Sequence, residues 1–129
     1  MIKSFQFRVY YEDTDAGGVV YYANYLKFIE RARTQILLDN GLTNMGIKKK
    51  LNIIFVVKSC TINYIKPAKL DDLLTVSTSI LSKTKVKIVL NQVIYLENQR
   101  IIDANVDLIS VNLIGKPVRM PFELINTFI

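Results

Sequence analysis

Residues 24–41, Asn24-Tyr25-Leu26-Lys27-Phe28-Ile29-Glu30-Arg31-Ala32-Arg33-Thr34-Gln35-Ile36-Leu37-Leu38-Asp39-Asn40-Gly41, decide the fold. The apolar positions Tyr25, Phe28, Ile29, Ala32 and Ile36 step by three and four, which lays them along one face of a helix. Asn24 reads as the N-cap and Gly41 as the C-terminal stop. No other stretch carries a long helical period.

Working outward, residues 3–10 alternate Phe5, Phe7 and Val9 against Ser4, Gln6 and Arg8, the pattern of a half-buried strand. An irregular segment with paired glycines, Gly17-Gly18, separates it from the helix. Beyond the helix the chain reads as strand. Residues 53–65 are rich in β-branched and aromatic types, 73–83 alternate, 85–96 are β-rich on both faces, and 101–113 alternate again. Glu97-Asn98-Gln99-Arg100 makes a turn, and Ser82-Lys83-Thr84-Lys85 another. One long helix against an antiparallel sheet of about five strands is an α+β, two-layer arrangement.

The 129 residues suit a single domain spanning 1–129, with 50% apolar residues for a core and 22% charged. No apolar run is long enough to cross a bilayer, and the start meets acidic residues too early for a signal peptide. The expectation is a cytoplasmic protein with Met1 as its true start.

The chain has no histidine and one cysteine, Cys60. Ser-His-Asp and Cys-His machinery are therefore excluded, and neither a catalytic metal nor a bound cofactor is expected. Acid–base or nucleophilic chemistry falls to carboxylates, lysines, tyrosines or water. Cys60, in a predicted strand, reads as a small buried hydrophobe.

The net charge of +6 is localised: residues 40–70 hold six lysines (48, 49, 50, 58, 66 and 69) and no acid, while the rest balances eleven basic against eleven acidic residues. Such a segment attracts polyanions, or is simply a solvated lysine-rich loop. Nucleic acid is set aside, because basic and aromatic residues do not interleave as in a recognised module.

Among the carboxylates, Asp15 is the most suggestive. It stands just before Gly17-Gly18 and the helix start, where unpaired N–H groups and the helix dipole suit a developing oxyanion. The pattern alone also allows an acid that merely complements the dipole. Glu12 and Asp13 are rivals, read as loop or strand-end residues. Glu30 is a further one, read as an ion-pair partner of Arg31 or Arg33.

The run Tyr10-Tyr11-Glu12-Asp13-Thr14-Asp15-Ala16-Gly17-Gly18-Val19-Val20-Tyr21-Tyr22-Ala23-Asn24-Tyr25 closely resembles the signature of the hydroxybenzoyl-CoA thioesterase family of hotdog proteins. It looks most like the Tol-Pal-associated acyl-CoA thioesterase branch. The resemblance continues through Phe28–Arg33, Tyr64–Val76 and Gly115–Pro121. It implies the hotdog fold, a sheet wrapped around one central helix, and hydrolysis of a short- to medium-chain or aromatic acyl-CoA. The family aspartate falls on Asp15, as nucleophile or as general base for water. The backbone N–H that polarises the carbonyl falls on Tyr22, with Gly18 letting the backbone approach. Tyr21, Asn24 and Tyr25 border the site, and Lys83, Thr84, Lys85 and Arg119 are candidates for coenzyme A, which is part of the substrate.

The resemblance also implies a homo-oligomer, a dimer or dimer of dimers, with sites shared between subunits. The lysine-rich segment adds an acyl carrier protein or a membrane surface as contacts. Tyr22 stands where the Tol-Pal-associated branch usually has histidine, which bears on acyl preference. The alternative is a binding or scaffold protein of the Tol-Pal or cell-envelope machinery with little turnover.

Overall fold

The computed structural model describes residues 3–128, so the expected start at Met1 lies outside the described residues. The elements run β1 (Lys3–Arg8), α1 (Asn24–Asp39), α2 (Asn44–Leu51), β2 (Ile54–Tyr64), β3 (Leu73–Lys83), β4 (Lys87–Leu96), β5 (Gln99–Val111) and α3 (Phe122–Thr127). The strands form one antiparallel sheet in the order β1-β3-β4-β5-β2.

The apolar stripe of α1 does what its spacing requires: Tyr25, Phe28, Ile29, Ala32 and Ile36 are all buried, joined by Leu37. Under its first half, Phe28 and Ile29 meet Leu74, Val76, Ile94, Ile102 and Val106, and the Phe28 ring lies 4.4 Å from that of Phe7. Burying each such side chain contributes roughly 1.5–3 kcal/mol. Under its second half, Ile36 and Leu37 share a cluster with Ile47 of α2 and with Leu124 and Phe128 at the C-terminal end. Gly41, at φ +74°, ends the helix in a left-handed turn, with Gly41 N–H donating to the Leu38 carbonyl and Leu42 N–H to that of Leu37.

Three local expectations are corrected. Lys48, Lys49 and Lys50 belong to a helix, α2, and not to a loop. The Thr43 hydroxyl accepts the Gly46 N–H at 2.9 Å, and the three lysines sit in the last turn, where cations suit the helix dipole. The helix start of α1 is not capped by Asn24, since Ala23 takes that place without a side-chain bond. Cys60 is exposed, because β2 is an edge strand and its middle residues are uncovered.

Candidate active site

The segment between β1 and α1 is a small hairpin. Thr14 pairs with Val20, Asp15 N–H donates to the Val19 carbonyl at 2.9 Å, and Gly18 N–H donates to the Asp15 carbonyl at 3.0 Å. Gly18 takes φ +81°, the left-handed conformation that closes a three-residue hairpin loop. Gly17 N–H donates to Asp15 Oδ1 at 2.8 Å. The carboxylate is thus oriented by its own turn, while Asp15 stays exposed and its second oxygen takes no protein donor among the described residues. A Cβ on Gly17 would stand 3.2 Å from Asp15 Oδ1, so glycine there also makes room for the carboxylate.

Asp13 is used differently. It is buried, its Oδ2 accepts the Tyr10 N–H at 2.9 Å, and its carbonyl accepts both the Tyr21 N–H and the Asn24 side-chain amide. It holds the turn together and is withdrawn from solvent, whereas Asp15 is exposed.

The first turn of α1 follows at once. Asn24 N–H bonds to the Tyr21 carbonyl and Leu26 N–H to that of Ala23, while the N–H groups of Tyr22 and Ala23 take no acceptor among the described residues. Around them stands a tyrosine cluster, with Tyr21 and Tyr22 rings 5.0 Å apart and Tyr64 6.1 Å from Tyr22. The Tyr64 hydroxyl donates to the Tyr22 carbonyl at 3.3 Å. A depression of about 240 Å³ opens here, bordered by Tyr22, Tyr64, Lys66 and Pro67. Tyr25 is its floor: the ring is buried and the hydroxyl accepts the Ala68 N–H at 3.0 Å.

The family model of the thioesterase superfamily matches residues 17–102. The chain belongs to this superfamily. The acyl-CoA thioesterase YbgC of Haemophilus influenzae is 43% identical over 127 residues, spanning 97% of this chain and 93% of that relative. The acyl-CoA thioester hydrolase YbgC of Escherichia coli is 40% identical over 123 residues, spanning 94% and 91%. The crystal structure of a probable thioesterase from Bartonella henselae matches with a TM-score of 0.90 at 37% identity, over 94% of this chain and 100% of that one. The hotdog thioesterase fold expected from the sequence is therefore the fold of the chain.

Within this thioesterase fold, the predicted cationic residues gather in one place. Lys83, Thr84, Lys85 and Arg119 line a depression of about 460 Å³ with Phe122. Met120 N–H donates to the Lys85 carbonyl at 2.8 Å, which brings Arg119 beside the β3–β4 turn. The Thr84 hydroxyl accepts the Lys87 N–H at 3.1 Å, so Thr84 shapes the turn that presents the lysines.

That depression does not adjoin Asp15 within one chain. The hairpin lies beside Lys69 and the start of β3, whereas Lys83 ends β3, 11 residues along. At about 3.3 Å per residue, the two ends are roughly 30 Å apart.

Glu30 is exposed and its carboxylate accepts the Thr34 hydroxyl at 2.9 Å. The expected pair with Arg31 or Arg33 does not form: the ion pairs among the described residues are Lys87–Asp107 and Arg100–Asp103. Asn24, expected at the substrate, spends its side-chain amide on the Asp13 carbonyl. Tyr64 is the site residue that sequence reasoning passed over. It lay inside the matched block Tyr64–Val76, but only the folded chain brings the end of β2 against the start of α1.

Proposed function

We propose that the chain hydrolyses the thioester of a short- to medium-chain or aromatic acyl-CoA, with Asp15 as the reacting carboxylate and the Tyr22 N–H polarising the carbonyl. One observation carries the reading. A hairpin that orients Asp15 and leaves one carboxylate oxygen free runs straight into a helix start whose Tyr22 and Ala23 N–H groups are unbonded among the described residues. The names of the relatives from Haemophilus influenzae and Escherichia coli support the acyl-CoA substrate.

Two routes suit this geometry. As general base, Asp15 takes a proton from water; the hydroxide adds to the carbonyl carbon, and the oxyanion forms at the Tyr22 N–H. The C–S bond then breaks, and the thiolate leaves and is protonated. As nucleophile, a carboxylate oxygen adds instead, the thiolate leaves, and water hydrolyses the mixed anhydride. In either route the helix dipole favours the negative charge that builds at the carbonyl oxygen.

The distance between Asp15 and the Lys83–Arg119 depression supports a shared site. The exposed residues of β2 include Val56 and Val57, on a strand that has a neighbour, β5, on one side only. Two copies paired antiparallel through β2 are reversed end for end. The cationic end of one sheet then lies on the side of the other's Asp15, where it serves the phosphates of coenzyme A. The protein acts as a homo-oligomer in this reading.

The test is an assay of a panel of acyl-CoAs with the wild type and Asp15→Asn. The variant should lose roughly 10²-fold or more, as expected for removing a main acid–base group. Equal activity in the two proteins sinks the assignment. Absence of turnover on every thioester, carrier-protein thioesters included, points instead to a binding or scaffold role at the cell envelope.

A further inference from the structure

The two unbonded N–H groups ahead of α1 belong to successive peptide planes, and each plane is pinned through its carbonyl. The Tyr22 N–H shares a plane with the Tyr21 carbonyl, which accepts the Asn24 N–H at 2.9 Å. The Ala23 N–H shares a plane with the Tyr22 carbonyl. A regular helix would give that carbonyl the Leu26 N–H, four residues on, but Leu26 bonds to the Ala23 carbonyl at 3.2 Å instead. No main-chain donor reaches the Tyr22 carbonyl among the described residues, and the Tyr64 hydroxyl supplies one at 3.3 Å.

The end of β2 delivers Tyr64 to this point. Tyr64 pairs with Ile102, whose side chain lies in the core beneath α1, so the Tyr64 ring stands on the helix side of the sheet. There its centroid lies 6.1 Å from that of Tyr22 and 5.9 Å from that of Tyr25. Pairing of two copies through the main chain of β2 leaves this side chain on its own helix. Burial raises the Tyr64 pKa, and Tyr22 and Cys60 add to the rise, so the phenol stays protonated and able to donate.

A peptide plane is rigid, and its carbonyl and N–H point in opposite directions and turn together. Holding the carbonyl therefore aims the N–H, and the bond also polarises the N–H into a better donor. Ala23 already has helical dihedrals, φ −69° and ψ −21°, so its N–H joins the free N–H groups of the first turn. We propose that the oxyanion is held by two donors, the Tyr22 and Ala23 N–H groups, and that Tyr64 is the positioning residue for the second. The role rests on the reading that the thioester carbonyl sits at the helix start.

Tyr64→Phe deletes the hydroxyl and keeps the ring. On the best substrate of the acyl-CoA panel, kcat should fall about tenfold, less than the roughly 10²–10³-fold of losing a donor outright, with KM within about twofold of wild type. Two inert analogues of that substrate separate positioning from general damage. One is a difluoromethylene ketone, whose hydrate carries oxygen where the oxyanion forms; the other is a thioether, which has no oxygen there. The wild type should bind the ketone more tightly, and Tyr64→Phe should shrink that preference about tenfold while binding the thioether as before. The preference is a ratio within one protein, so a partly unfolded sample does not mimic its loss. Equal weakening of both analogues overturns the proposal, being the result for a residue that only packs or binds substrate. A preference intact in Tyr64→Phe, with Asp15→Asn inactive, overturns the role of Tyr64 and leaves the thioesterase reading standing. Equal binding of both analogues by the wild type removes the helix-start oxyanion itself, and this proposal with it.

Discussion

The side-chain amide of Asn24 donates to the carbonyl of Asp13 across 2.9 Å, tying the first residue of α1 to the turn that precedes Asp15. The bond spans the hairpin and fixes how the carboxylate sits against the helix start. Asn24→Ala is expected to cost about 1 kcal/mol in stability, the net worth of such a bond. Turnover on acyl-CoA should fall by a larger factor than thermal unfolding implies, because misplacement of the carboxylate acts on the rate directly. Calorimetric melting and steady-state kinetics on the same sample check both.

Asp13→Ala separates the roles of two neighbouring carboxylates. It strips the Tyr10 N–H of its acceptor, so the melting temperature should drop by the equivalent of about 1–3 kcal/mol. At temperatures where the variant is folded, hydrolysis should stay within a few-fold of wild type. Loss of activity comparable to that of Asp15→Asn would assign Asp13 a chemical part.

The paired glycines should respond differently. Gly18→Ala forces a Cβ into φ +81° at a cost of about 1–2 kcal/mol, which Gly18→Asn should largely avoid. Gly17→Ala meets no such strain but presses on Asp15 Oδ1. Its expected signature is a reduced kcat with nearly unchanged melting.

Alkaline pH should unfold the protein by way of Tyr25. Burial raises its pKa, and Asp72 and Tyr64 add to the rise, while the Ala68 N–H bond opposes it. In the unfolded chain the phenol ionises near about 10. Above that pH the unfolded state binds fewer protons than the folded one, so stability falls as pH rises until the folded group also ionises. Melting temperatures should decline as pH passes about 10, and the decline should be shallower in Tyr25→Phe. Tyr64 is also raised by burial, but it is nearly half exposed and contributes little to this slope.

Assembly through β2 is tested by Val56→Lys. A charge on this exposed strand should block pairing with a second copy. Light scattering should then report the mass of one chain, with hydrolysis lost alongside. A wild type that is itself monomeric and active contradicts the shared site.

Much of this was legible from residue order. The three-and-four spacing of Tyr25 to Ile36 set the central helix, and alternation set the strands, because both periods record a single buried face. The helix α2 was not legible: only Ile47 of its eight residues is buried, so no stripe forms, and its cap and dipole hold it. The outer position of β2 was equally hidden, since strand order depends on long-range pairing, and Cys60 was misjudged for that reason. At the site, the order of Asp15, the paired glycines and a helix start was legible, but the segment reads as irregular, and its hairpin closes only through the Thr14–Val20 pairing of the folded chain. Tyr64 needed the folded chain as well, being joined to Tyr22 across 42 positions.

The length of β3 makes the two ends of the molecule genetically divisible. A chain carrying Asp15→Asn keeps a whole cationic depression, and a chain carrying Lys83→Gln with Arg119→Gln keeps a whole hairpin. If each site draws one end from each copy, a mixed pair holds one doubly broken site and one intact site. Two inactive alleles expressed together would then restore turnover that neither supports alone.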